Sequence, residues 1–133
     1  MMVTSFADPL SQIAHMRNPN NLDVLPRADA LILSIHKSPL RARGRRSPGL
    51  SSQLLRSVSS ISFNIAEGAA KDDPGFVYHL TTAIGSANEA ERQLKLAYGL
   101  DMLGPNGAWF LTEIVEVRKM TIGLRKSVLR KME

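Results

Sequence analysis

Ser47-Pro48-Gly49-Leu50-Ser51-Ser52-Gln53-Leu54-Leu55-Arg56-Ser57-Val58-Ser59-Ser60-Ile61-Ser62-Phe63-Asn64-Ile65-Ala66-Glu67-Gly68 is the stretch on which the fold turns. Serine before proline is a helix start: the hydroxyl can cap free amides, and the proline sits where a missing N–H costs nothing. Leu54, Val58, Ile61 and Ile65 then follow at steps of four, three and four, which places them on one helical face. The helix should run to about Glu67 and stop at Gly68. Ser57, Ser59, Ser60 and Ser62 fill much of the remaining surface. Side chains that small let a neighbouring backbone approach closely, and they also make a polar surface.

The segments on either side repeat the pattern. Upstream, Asp23 to Lys37 reads as a first helix, with Pro26 tolerable in its first turn and Leu22, Leu25, Ala28, Ile32 and Ile35 on one stripe. Before it, residues 1–20 hold Pro9, Pro19 and a polar Asn18-Pro19-Asn20-Asn21 cluster, and read as a flexible N-terminal arm. Ser38 to Arg46 combines Pro39, Gly44 and four arginines with little to bury, so a solvated loop is expected. Downstream, Asp73 before Pro74 repeats the cap-plus-proline signal. Phe76, Leu80, Ala83, Ala87, Ala90, Leu94 and Ala97 then mark a third helix roughly 27 residues long, close to 40 Å of rod at ~1.5 Å per residue. Gly104-Pro105-Asn106-Gly107 is a turn, after which Phe110, Ile114, Val117, Thr121, Leu124 and Val128 form the seam of a last helix. No stretch alternates with period two, so no sheet is expected. Residues 21–133 therefore predict an all-α, up-down antiparallel four-helix bundle.

Composition narrows the function classes. The 133 residues suffice for one core. With no cysteine there are no disulfides, thiolate zinc sites or Cys nucleophiles, which fits a reducing compartment, and the cytoplasm is the expected location. No apolar run approaches the ~18–20 residues of a membrane span, and the first residues lack a basic region followed by an apolar stretch. Neither export nor membrane anchoring is expected. The net charge of +5 is unevenly placed. Lys37, Arg41, Arg43, Arg45, Arg46 and Arg56 are accompanied by no acid, whereas Asp72, Asp73, Glu89, Glu91 and Asp101 outweigh Arg92 and Lys95. From Glu113 onward Arg118, Lys119, Arg125, Lys126, Arg130 and Lys131 again outnumber the acids. Such a polarised chain suits RNA, DNA or a second copy of itself.

The candidate nucleic-acid contacts are Arg41, Arg43, Arg45 and Arg46 of the loop, with Arg118, Lys119, Arg125 and Lys126 of the last helix. Each arginine can grip a phosphate through two N–H groups, and counterion release makes such binding salt-dependent. No aromatic residue interleaves the loop arginines, so backbone contact without base stacking is expected there. The competing reading is a solvated loop, or one paired with the acidic third helix of another subunit. Asn64 and Glu67 share a helical face beside Gly68. Their expected role is structural: polar side chains that hydrogen-bond a neighbouring helix and set its register. No catalytic residue, cofactor or metal site is expected. A di-metal bundle needs Glu-x-x-His pairs, which His15, His36 and His79 do not supply, and neither a Gly-x-Ser-x-Gly elbow nor a glycine-rich phosphate loop occurs. Tyr78, Trp109 and Phe110 read as packing residues, with Trp109 suited to a subunit interface if exposed.

Several segments carry a more specific wording: Gly49-Leu50-Ser51-Ser52-Gln53-Leu54-Leu55-Arg56, Ser62-Phe63-Asn64-Ile65-Ala66-Glu67-Gly68, Ala83-Ile84-Gly85-Ser86-Ala87-Asn88-Glu89, Gln93-Leu94 and Gly123-Leu124-Arg125-Lys126-Ser127. Together, over about residues 25–130, they resemble the four-helix-bundle family first known from intervening sequences of bacterial 23S ribosomal RNA genes. The Asn-Ile-Ala-Glu-Gly run is the most specific part. The resemblance implies an up-down bundle that assembles as a homopentameric ring without established catalysis. It also implies, through a distant branch that serves diversity-generating retroelements, a reverse transcriptase as partner if the gene lies in such an element. The chain departs from the pattern at Phe63, near a position where the family carries serine after proline, so no proline kink is expected. It departs again at Asp101, where a helix-ending glycine is usual, which leaves that end less well specified. The arm and the arginine loop lie outside the signature. The function expected from all this is a non-enzymatic homo-oligomeric bundle that binds RNA or DNA through its basic loop and last helix. The alternative is a protein-interaction adaptor that touches no nucleic acid.

Overall fold

The computed structural model describes residues 22–133, so the expected arm, residues 1–20, lies outside the described residues. Those described are helical, with no strand among them. The elements are α1 (Val24–Lys37), a one-turn α2 (Leu40–Arg43), α3 (Pro48–Ala69), α4 (Asp73–Gly99), a 3-10 turn (Gly104–Asn106) and α5 (Gly107–Lys131).

The apolar stripes turn inward as their spacing predicts. Leu54, Val58, Ile61 and Ile65 of α3 are buried, as are Phe76, Leu80 and Leu94 of α4 and Phe110, Ile114 and Val117 of α5. In α1 the stripe also includes Leu31, and Ile32 is only partly covered. Between its larger residues α4 presents Ala83, Ala87, Ala90 and Ala97, all fully buried, so α3 and α5 can approach its backbone on either side. Cross-helix hydrogen bonds fix the pairing. Ser57 Oγ donates to Gln93 Oε1 at 2.6 Å, Ser60 and Ser86 hydroxyls meet at 2.9 Å, and His79 Nδ1 meets Asn64 Oδ1 at 3.0 Å. As the α3 number rises the α4 number falls, so the two helices run in opposite directions. Arg118 with Glu91 and Arg125 with Thr81 give α5 the opposite sense to α4 in the same way. α1 packs on α3 and α5, and Ser62 Oγ donates to Asp29 Oδ1 at 2.6 Å across the first of these contacts.

Four local expectations need correction. The Ser38–Arg46 segment is no bare solvated loop: Leu40 is 1 % exposed, drawn into the core, and the chain around it closes into α2. Pro39, with φ preset by its ring, opens that turn, and Arg43 and Gly44 amides donate to the Pro39 and Leu40 carbonyls. Ser47 does not cap α3 with its hydroxyl; its carbonyl accepts from the Ser51 amide instead. The cap of α4 is Asp72, whose Oδ1 accepts from the Gly75 amide at 2.9 Å, while Asp73 and Pro74 occupy the first turn. The end of α4 is well specified after all. Asp101 takes the left-handed conformation at φ 56, the Met102 amide donates to the Ala97 carbonyl, and the Asp101 amide donates to that of Tyr98. That is the bonding of a Schellman end, which an aspartate can supply because its short polar side chain tolerates the left-handed region. Met102, just beyond, is buried and seals it.

Two ion pairs bind α5 to its neighbours. Arg27 grips Glu113 with two bonds of 2.9 Å, and Arg118 donates to Glu91. Both carboxyls are largely covered by the fold. The hydrogen bond from Arg27 holds the Glu113 carboxyl below the usual range, against the opposing effect of burial, and that from Arg118 does the same for Glu91. A carboxyl that ionises more readily folded than unfolded stabilises the fold above its unfolded pKa of about 4.3, and that stability is lost as pH falls through the lower folded value. Urea midpoints measured from about pH 7 to about pH 3 are expected to fall for the wild type and to fall less for Glu113→Gln, the two curves converging in acid. A gap between them that stays constant with pH would sink this account.

Candidate functional site

The signature residues divide by role. Asn64 is half-buried between α3 and α4: its Nδ2 donates to the Ser60 carbonyl at 2.9 Å and the Ser60 hydroxyl at 3.0 Å, while Oδ1 engages His79. Gly68 sits one turn on, where α4 crosses so closely that a Cβ would lie 2.6 Å from His79 Cβ and 3.0 Å from Phe76 Cδ1. Glu67 is exposed and makes no ion pair with any described residue. Asn64 and Gly68 thus set the α3–α4 register, and Glu67 takes no part in it.

The basic residues are sorted by the fold in a way their spacing conceals. The helical turn of α2 sends Arg41 and Arg45, four apart, into one open groove, together with Arg56 of α3 and His36 at the end of α1. Arg43 leaves on another side toward Asp101, 3.4 Å away in an exposed contact, and Arg46 lies outside the groove lining. The groove has a volume of about 1060 Å³, at the upper limit of the ~300–1,000 Å³ typical of small-molecule pockets. Among the described residues no carboxylate lines it. Along α3 the groove runs from Pro48 to Asn64, close to 24 Å at ~1.5 Å per residue. Its wall includes Ser51, 6 % exposed, whose Oγ has no hydrogen-bond partner among the described residues. It also includes Phe63, which is 70 % exposed.

The arginine segment has no aromatic residue, as expected, but Phe63 of α3 lines the groove it opens into. The ring stands on the same face of α3 as Arg56, two turns further on. No local pattern in the sequence could have joined it to Arg41.

The last-helix bases lie elsewhere. Of the four candidates there, Arg118 is half-buried and held by Glu91, Lys119 lies 3.5 Å from Glu116, and Arg125 Nε donates to Thr81 at 2.8 Å, while Lys126 is exposed without such a contact among the described residues. Thr81 stands twenty residues along α4 from Asp101, so Arg125 is about 30 Å from the basic turn at ~1.5 Å per residue. Arginine loop and last helix therefore form two regions rather than one patch. Of the aromatic residues read as packing, Phe110 is buried, whereas Tyr78 is 68 % exposed and Trp109, edge-on to Phe110, 44 % exposed. Among the described residues no helix is long and apolar enough to cross a membrane, and no cluster of His, Asp and Glu could hold a metal ion.

Residues 20–123 match a family model described as 23S rRNA-intervening sequence protein. No curated protein matches the chain.

The two glycines at the helix interface and surface should respond to alanine with opposite signs. Gly68→Ala forces a Cβ against the root of the His79 side chain, and overpacking of about 1–3 kcal/mol outweighs the ~1 kcal/mol gained in helix propensity. Gly85→Ala, in open space on α4, gains up to about 1 kcal/mol. Chemical denaturation of both variants checks this, and a stabilised Gly68→Ala would refute the close crossing.

Proposed function

The chain belongs to the 23S rRNA-intervening sequence protein family, and from that premise we propose a non-enzymatic, homo-oligomeric scaffold whose basic groove holds the phosphates of RNA or DNA. Its four long helices form an up-down antiparallel bundle, a reading supported by the opposed senses of α3, α4 and α5 and by the packing of α1 on α3 and α5. The protein works in the cytoplasm, in keeping with the lack of cysteine.

The observation that carries the nucleic-acid reading is the groove itself: three guanidinium groups and an imidazole converge on a concave surface without a single carboxylate among the described residues. Arginine forks match phosphate geometry, and an uncompensated basic concavity raises the local concentration of a polyanion. The adaptor reading draws support from a different surface. Leu96 and Leu100, four residues apart on the exposed side of α4, are 53 % and 58 % exposed, and Tyr98 and Trp109 are about half exposed. Apolar area of this kind suits a contact between subunits, so it supports assembly without competing for the groove.

In filter binding, the full chain is expected to retain a labelled oligonucleotide at about 50 mM salt and to lose most of it at about 200 mM. Arg41→Ser with Arg45→Ser should lower the slope of log K against log salt by roughly two, whereas Arg43→Ser with Arg46→Ser should lower it by less. No retention at low salt sinks the nucleic-acid reading. Light scattering is expected to give a mass several times that of one chain, a ring of five by family resemblance, and a monomer would overturn the assembly.

A further inference from the structure

A large aromatic ring in water forgoes about 1.5–3 kcal/mol of burial, so Phe63, 70 % exposed, stands out. Its surroundings are polar and basic rather than apolar: the groove it lines continues through Ser60 and Ser59 to Arg56, and then to Arg45 and Arg41. Arg56 is two helical turns away on the same rod, about 10 Å at ~1.5 Å per residue. Phe63 springs from within the long helix α3, next to Asn64, which is tied to Ser60 and to His79.

We propose that the groove accepts single-stranded nucleic acid in preference to a duplex, Phe63 stacking on an unpaired base while Arg41, Arg45 and Arg56 hold the backbone. A duplex offers phosphates but hides its base faces, so Phe63 would gain nothing from one. A single strand presents phosphates and π-faces together, and every base can stack. With stacked nucleotides at ~3.4 Å, the 24 Å run of the groove along α3 spans roughly seven of them. An acidic peptide would satisfy the arginines but offers a ring to Phe63 only where one of its residues is aromatic, whereas every nucleotide carries one. This inference rests on the phosphate-binding reading above and goes beyond it in the class of strand and in the aromatic contact.

Fluorescence anisotropy with a labelled mixed-sequence strand of about 15 nucleotides, as RNA and as DNA, against the same sequence as a duplex, tests the proposal on the full chain. The strand should bind more tightly than the duplex. Phe63→Ala should weaken strand binding about 5- to 150-fold, the equivalent of ~1–3 kcal/mol of stacking, and leave duplex binding unchanged, and Phe63→Trp should restore it. Equal affinity for strand and duplex, both indifferent to Phe63→Ala, overturns the stacking claim and leaves phosphate binding standing. A Phe63→Ala variant that loses subunits in light scattering yet binds the strand as before assigns the ring to a subunit contact and likewise overturns it. Failure of strand and duplex alike to bind at about 50 mM salt overturns both readings at once.

Discussion

The close crossing of α3 and α4 at Gly68 is the constraint on which the rest of the molecule depends. With no room for even a methyl group against His79 and Phe76, the two helices meet at one depth and one register. The Asn64–His79 and Ser60–Ser86 bonds are made only in that register, and the small Ala83 and Ala87 sustain the approach further along α4. Small residues on both helices bring the polar side chains of the interface within hydrogen-bonding range, where buried groups find partners instead of carrying a desolvation cost. Once α3 is fixed, its opposite face is fixed too, and that face carries Ser52, Arg56 and Phe63 into the groove.

Helical periodicity made most of this fold legible. Stripes of four to seven apolar residues in α3, α4 and α5 repeat often enough for the period to be read, and all but Leu124, which is partly covered, reach the core. Elements too short to show a period were not legible. Leu40 is a lone apolar residue among arginines, and only the three-dimensional core reveals that it anchors a helical turn. The caps failed for a related reason: Asp72 and Asp73 are chemically equal candidates, and the choice between them depends on where α4 must begin to pack on α3. At Asp101 a rule that expects glycine misses that an aspartate can occupy the left-handed region and that Met102 seals the end from outside.

The site was legible only in part, because charge in sequence is not charge available in space. The last helix holds a surplus of bases, yet Arg118, Lys119 and Arg125 already have partners in the fold, and releasing Arg118 would leave the largely covered Glu91 with only the exposed Lys95, 3.5 Å away. That is an expensive exchange for a phosphate contact in water. The groove cations differ. Among the described residues Arg56 hydrogen-bonds only the neutral Ser52 hydroxyl, at 3.1 Å, and no acid lines the groove with Arg41 and Arg45. Arg41 and Arg56 come from α2 and α3, and their relation depends on the burial of Leu40, which no local motif records.

Division of labour between surfaces follows from the same geometry. In the proposed assembly, subunits would meet through exposed apolar residues such as Leu96 and Leu100 on α4, whereas the groove is walled by α1, α2 and α3. Neither surface uses residues of the other, so a ring could form with its grooves open. Repetition then matters energetically. A groove that holds only a few phosphates binds weakly by itself at physiological salt, but once one groove of a ring is occupied, the next meets the same strand at an effective concentration set by the short span between subunits. In that proposed assembly, modest charge in one chain would become avid binding. For this reason an open basic groove would suit a scaffold whose affinity arises from repetition rather than from any single contact.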